Sequence, residues 1–223
     1  MINTKSYDLR NAIIDMRYLL NRGYNRKSAA DYVASRYSLT KYGRAILYRG
    51  VFSEKQAVSH LHKLVCTKDL DNKIVAIDGF NVLITLETAL NNKLLIRCDD
   101  GFIRDVSAVF GNFKPSKNTI NALKLILDFI LNYHPTRILL FLDSPISYSG
   151  ELALKIRNIF KRKGIAGTAK TVKRGDVEVL LKGDVIASSD SIIIERAKAM
   201  FDLAGQIIEQ KYPQLIFDVK SIR

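Results

Sequence analysis

The chain has only two cysteines in 223 residues, Cys66 and Cys98. That is too few for a disulfide scaffold, and neither lies in the C-x-x-C spacing of structural zinc or dithiol chemistry. It also lacks any apolar run near the roughly 20 residues of a membrane-spanning helix. The opening MINTKSYDLR has no apolar centre of the kind that marks a secretory signal. These absences lead to the expectation of a cytoplasmic protein without a membrane partner. No internal repeat or low-complexity segment interrupts the chain, and no G-x-G-x-x-G suggests a dinucleotide site. The segment GIAGTAKT at 164–171 comes within one residue of a P-loop. However, Ala169 stands where the loop needs glycine, and the segment follows a helical pattern and enters a strand-like one, the reverse of the P-loop order.

What the chain has in excess is positive charge: 35 Lys and Arg against 22 Asp and Glu, a net +13. Such a balance favours polyanionic partners. The surplus is uneven, since residues 1–65 hold 12 basic and 4 acidic side chains. Apolar spacing there is helical, as in Leu9, Ile13, Met16 and Leu20, and helix punctuation recurs at Gly23, Asn25, Thr40 and at Ser53 with Gln56. The stretch KSAADYVASRYSLTKYGRAILYRG resembles a helix-turn-helix with its turn at 36–40. From residue 17 to 49 there are eight Lys or Arg, one acid and six tyrosines. Cations of that kind suit phosphates, and tyrosines suit bases if they are exposed. If the tyrosines pack inward instead, the segment is a plain helical module. His60, His62 and Cys66 have a possible ligand spacing, but it has no second half and is read as helix packing.

Near residue 70 the pattern changes, dividing a basic helical domain, 1–68, from an α/β domain, 70–223. Strands are expected at 73–77, 94–98, 137–142, 169–173, 184–188 and 214–219. Helices are expected at 117–133, 150–163 and 190–210. Such alternation predicts a mostly parallel sheet with helices on both faces. In such sheets ligands bind beyond the carboxyl ends of the strands, and there the apolar runs end in acids. Asp78 ends VAI, Asp143 ends RILLFL, Asp190 follows DVIASS, and Asp176 lies three residues past TVK. One such acid is commonly a helix cap. Four together would repel one another unless a divalent cation lay among them.

The motifs DGFN at 78–81, FLDS, KRGD and VIASSDS resemble those of PIN-like nucleases, particularly the NYN branch. The resemblance spans roughly residues 73–200 and implies a Rossmann-like fold. It also implies Mg²⁺ or Mn²⁺ held by Asp78, Asp143, Asp176 and Asp190, with hydrolysis of phosphodiesters and RNA favoured over DNA. Asn81 would orient the first acid or touch phosphate. The two-part layout is also similar to an uncharacterised archaeal family. Many PIN-like nucleases place a further acid between the first strand and the later ones. Glu87, Asp99, Asp100 and Asp105 all lie in that interval, with Asp100 and Asp105 as secondary metal-ligand candidates.

Ser189 and Ser191 flank Asp190 and are placed to hold phosphate or to cap the following helix. Residues 155–174 carry eight Lys or Arg and no acid. Lys161, Arg162, Lys163 and Arg174 are therefore candidates for guiding a polyanion toward Asp176. A protein of this shape that binds nucleic acid without cutting it is the principal alternative, and a phosphohydrolase acting on small molecules is a weaker one. The sequence leaves self-association open.

Overall fold

The structure is a computed structural model that describes residues 6–107 and 113–222. Four helices come first: α1 (Ser6–Asn21), α2 (Arg26–Arg36), α3 (Lys41–Gly50) and α4 (Glu54–Leu61). Their starts are fixed by local chemistry. The side chains of Asn25, Thr40 and Ser53 each accept hydrogen bonds from backbone N–H groups of the first turn that follows. Gly23 ends α1 with φ +82°, a left-handed conformation that costs glycine little.

The order then becomes β1 (Ile74–Asp78), α5 (Gly79–Leu90), β2 (Leu95–Arg97), β3 (Ile103–Asp105), α6 (Lys117–Ile130), β4 (Arg137–Asp143), α7 (Ser149–Lys163), β5 (Gly167–Val172), α8 (Gly175–Lys182), β6 (Val185–Ala187), α9 (Ser191–Arg196), β7 (Met200–Phe201), α10 (Leu203–Lys211) and β8 (Ile216–Asp218). Five strands form one sheet in the order β5-β4-β1-β6-β7, every neighbouring pair parallel. The expected α/β class, with a helical region before a mostly parallel sheet, is what the chain adopts. A second, three-stranded sheet has the order β3-β2-β8.

Alternation along the strands divides the large sheet into two faces. Val75 and Ile77 of β1, Leu140 and Leu142 of β4, and Val185 and Ala187 of β6 join the core built with α5, α6, α7 and α10. Ala76, Phe141 and Ile186 point the other way, into a smaller core with Val179 of α8 and Ile193 and Ile194 of α9. Gly79 allows the first of these packings. A Cβ there would lie 2.7 Å from the carbonyl oxygen of Phe141 and from methyl groups of Leu140 and Leu142. The glycine beside Asp78 therefore serves the approach of α5 to β4.

The helical region does not close its own core. Leu9, Ile13, Met16, Ile46 and Leu47 pack in one cluster with Ile96 and Cys98 of the second sheet and with Val219 and Ile222 near the carboxyl terminus. Arg17 of α1 clamps Asp99 through both its Nε (3.1 Å) and Nη2 (2.7 Å), and its Nη1 donates to the carbonyl of Ile222 at 2.7 Å. One expected helix is corrected. The stretch 190–210 is broken after Arg196 by β7, and Asp202 then caps α10 by accepting from Gly205 N–H at 3.0 Å. The P-loop-like segment runs from the end of α7 into β5, in the order unsuited to a P-loop.

Candidate functional site

From β1 the chain moves out through β4 to β5, then returns to lay β6 and β7 on the other side of β1. The sheet thus has its topological switch between β1 and β6, where open α/β sheets form a crevice at the strands' carboxyl ends. Register fixes what enters it. Asp78 is level with Phe141 of β4, and Ile77 is level with Ala187 of β6. By alternation Asp78 and Asp143 fall on the sheet face covered by α8 and α9, and the loop between β6 and α9 carries Ser188 and Asp190.

Hydrogen bonds then hold the crevice in place. The Ser188 hydroxyl donates to Asp78 Oδ2 at 2.9 Å and accepts from the Asp190 N–H at 3.1 Å. Asn81 Oδ1 accepts from both the Ser189 N–H (2.9 Å) and the Ser189 hydroxyl (3.1 Å), tying α5 to the loop that carries Asp190. Asn81 accordingly positions that loop. Asp190 Oδ1 caps α9 by accepting from Ile192 and Ile193, and Asp143 Oδ1 accepts from the Gly175 N–H at 3.1 Å.

Asp78 is 8% exposed. Burial, reinforced by the charges of Asp190 and Asp143, pushes its carboxyl up to about 7, against the opposing bond from Ser188. The charges of two further strand-end acids thus bear on Asp78. The fourth, Asp176, follows Gly175 in the first turn of α8, with Arg174 (3.6 Å) and Arg196 (3.9 Å) beside its carboxylate. Among the described residues, no three His, Cys, Asp or Glu side chains form a group that could hold a metal ion unaided. The donor set nevertheless suits Mg²⁺ or Mn²⁺ held by one or two carboxylates together with a substrate phosphate, the usual manner for Mg²⁺. Asp143 Oδ2 and Asp190 Oδ2 have no hydrogen-bond partner among the described residues.

The secondary candidates already have partners. Asp100 is fully buried and receives both Nη atoms of Arg104 (2.8 and 2.7 Å) and Nδ1 of His60 (2.8 Å). Burial alone would raise its carboxyl, but Arg104 and His60 outweigh burial and hold it at about 2. Asp105 is buried 3.7 Å from Arg49. Asp99 belongs to the Arg17 clamp, and Glu87 accepts from the Thr119 hydroxyl of α6. Asp99, Asp100 and Asp105 are paired with cations, and Glu87 is tied to a neighbouring helix.

The basic run is divided by the topology. Arg174 follows β5 and lies near the strand carboxyl ends, as expected. Lys161, Arg162 and Lys163 form the last turn of α7, which leads into the start of β5, so they lie at the opposite end of the sheet from the acids. Their adjacency to Asp176 in sequence is undone by the length of β5.

Sequence reasoning misses two features. Ser188 stands within VIASSDS with nothing in the motif to mark its role, although its register beside Asp78 is what makes it a partner. A cleft of about 490 Å³ also opens beside Asp190 and Ser191, and α2 and α3 supply its other wall with Arg26, Lys27, Arg44, Tyr48 and Arg49.

A parallel α/β sheet with acids at its switch point, joined to a basic helical region, is the class of protein these features define. The chain belongs to the family described as "Domain of unknown function (DUF5616)", whose model matches residues 67–206. A second model, "Protein of unknown function (DUF434)", matches residues 8–63. The chain is 39% identical over 197 residues to "Uncharacterized protein MJ0935" of Methanocaldococcus jannaschii, covering 87% of this chain and 94% of that protein. No solved structure matches. Among the described residues, no helix is long and apolar enough to cross a membrane.

Proposed function

We propose that the protein is a metal-dependent nuclease that hydrolyses phosphodiester bonds, of RNA in preference to DNA, in the crevice between β1 and β6. The observation that supports this best is that the charges of Asp143 and Asp190 both bear on Asp78 at the switch point, with Asp78 buried and its carboxyl raised to about 7. Asp78 and Asp190, with Asp143 across β1, are the residues that would hold Mg²⁺ or Mn²⁺. When bound, such an ion lowers the pKa of a coordinated water and offsets charge on the scissile phosphate.

The protein's own groups supply position. Ser188 orients Asp78, Asn81 holds the loop that carries Asp190, and Gly175 N–H fixes Asp143. Gly175 is suited to that contact, since a Cβ there would lie 2.9 Å from Asp143 Oδ1. Arg174 and Arg196 hold Asp176 at the rim, where the two arginines offer positive charge to a backbone entering the crevice.

The test is incubation of purified protein with labelled single-stranded RNA, structured RNA and DNA, in Mn²⁺ and in EDTA. Cleavage of RNA that EDTA abolishes is the expected result. Intact substrates in every lane would remove the nuclease proposal. The alternative, a protein that binds nucleic acid without cutting it, draws support from the lack of a three-carboxylate group among the described residues. It predicts tight, metal-independent binding and no products.

A further inference from the structure

The cleft between the helical region and the β6–α9 loop has an unusual charge balance. Most of its cations are already answered by carboxylates: Arg44 pairs with Asp31, Arg49 lies 3.7 Å from Asp105, and Arg104 is clamped by Asp100. Arg26 and Lys27 are not. Arg26 is half-buried, with its Nη1 donating to the carbonyls of Tyr48 (3.0 Å) and Val51 (2.6 Å) and its Nη2 to Gln56 (3.4 Å). These partners are neutral, and the carboxylate that favours its charge, Asp100, is the one already clamped by Arg104. Its guanidinium lies 4.1 Å from the Phe52 ring centroid, and the like-charged Arg104 lies 5.0 Å from the same ring. Burial, and then Arg104, lower the pKa of Arg26, so both make its charged form less favourable. Lys27 is exposed and has no carboxylate partner among the described residues. Two cations without an ion-pair partner among the described residues, facing a partly enclosed space, favour an anion there.

The same wall carries an aromatic surface. Tyr48 lines the cleft and is 42% exposed, and Tyr18, Tyr24, Tyr32 and Tyr42 are each more than half exposed on the same helical region. Cations beside an accessible ring form the combination by which proteins hold single strands, backbone on charge and base on ring. A paired duplex keeps its bases inside and cannot use the ring. The volume, about 490 Å³, is within the range of small-ligand sites and suits one nucleotide unit.

We propose that this cleft seats one nucleotide of single-stranded RNA, its phosphate on Arg26 and Lys27 and its base against Tyr48, so that the helical region delivers the strand to Asp190. The proposal deepens the nuclease reading and rests on it for the choice of RNA. Ser191 and Asp190 line the cleft on the side of the β6–α9 loop, through which the strand would pass toward the β1–β6 crevice.

The test uses the full chain in EDTA, with fluorescence anisotropy of a labelled single-stranded RNA of about ten nucleotides. Lys27→Glu is expected to weaken binding about tenfold and to reduce the salt slope by about 0.7 for each phosphate that is no longer neutralised. Tyr48→Ala should weaken it several-fold, while Tyr48→Phe retains affinity. Lys211→Glu, at the far end of α10, should change little, which separates a local effect from loss of net charge. Melting temperatures of the variants control for folding. Inorganic phosphate should compete only weakly, and duplex RNA should bind with no dependence on Tyr48. If Lys27→Glu and Tyr48→Ala bind single-stranded RNA as the wild type does, the seat is disproved. Binding that responds to these changes without cleavage in Mn²⁺ would keep the seat and remove the nuclease reading. Cleavage with no response would do the reverse.

Discussion

Asp78 is the residue on which the proposed chemistry turns, and its environment makes two testable demands. A buried carboxyl raised to about 7 costs stability as pH rises from its unfolded value near 3.9 to about 7, and above that the cost is constant. In metal-free buffer Asp78→Asn should therefore match the wild type near pH 4 and exceed it at pH 8. The gain should be on the order of a few kcal/mol at most, read from melting curves at the two pH values. A mutant equally destabilised at both would make Asp78 a structural cap. The second demand concerns Ser188, whose hydroxyl favours the charged form of Asp78. Ser188→Ala should raise the Asp78 titration midpoint further, which carboxyl-carbon NMR would detect. An unchanged midpoint would mean that the bond carries no weight.

At the scale of elements, close approach of backbone decides how the crevice is built. Gly79→Ala would drive a methyl against the Phe141 carbonyl and two leucines, so a loss of about 1–3 kcal/mol is expected, visible as a lower melting temperature. Wild-type stability would show that α5 has room to move off β4. The elements also explain what could be read in advance. β1, β4 and β6 were legible because each is a dense apolar run ending in or just before an acid, and Asp78, Asp143 and Asp190 followed from that punctuation. β3 was not, because IRD has two charged residues in three and no apolar run, and β7 was not, being only two residues long. The second of these sits inside an apolar stretch that reads as one helix. Asp202, another acid at a strand end, was hidden by that stretch. It accepts from Ile103 N–H at 2.7 Å as well as capping α10, and burial pushes its carboxyl up to about 6. Lys161, Arg162 and Lys163 misled for the opposite reason, since neighbours in sequence are separated by a whole strand in space. The cleft was beyond sequence reasoning altogether, because it joins residues 26–49 to residues 189–192.

For the whole molecule, the shared core means that the helical region and the sheet region depend on one another. A fragment of residues 70–223 would expose Ile96, Cys98, Val219 and Ile222, all buried against α1–α4. It should aggregate or melt without cooperativity, and a fragment that melts as sharply as the full chain would contradict this. The helices' proposed role in holding substrate is therefore better probed by surface substitutions in the intact chain than by truncation. The exposed tyrosines point the same way. Five of the six between residues 17 and 49 are more than two-fifths exposed, so the helical region does not bury them as a plain packing module would. The central claim is that the carboxylates at the β1–β6 switch point hydrolyse a phosphodiester. Its most direct test is a cleavage time course on single-stranded RNA in Mn²⁺, comparing wild type with an Asp78→Asn protein shown to be folded by its melting curve. The account predicts that the wild type cuts, that EDTA stops it, and that the mutant is slower by about a hundredfold or more. Equal rates for the two proteins, or RNA left intact by the wild type, would contradict it.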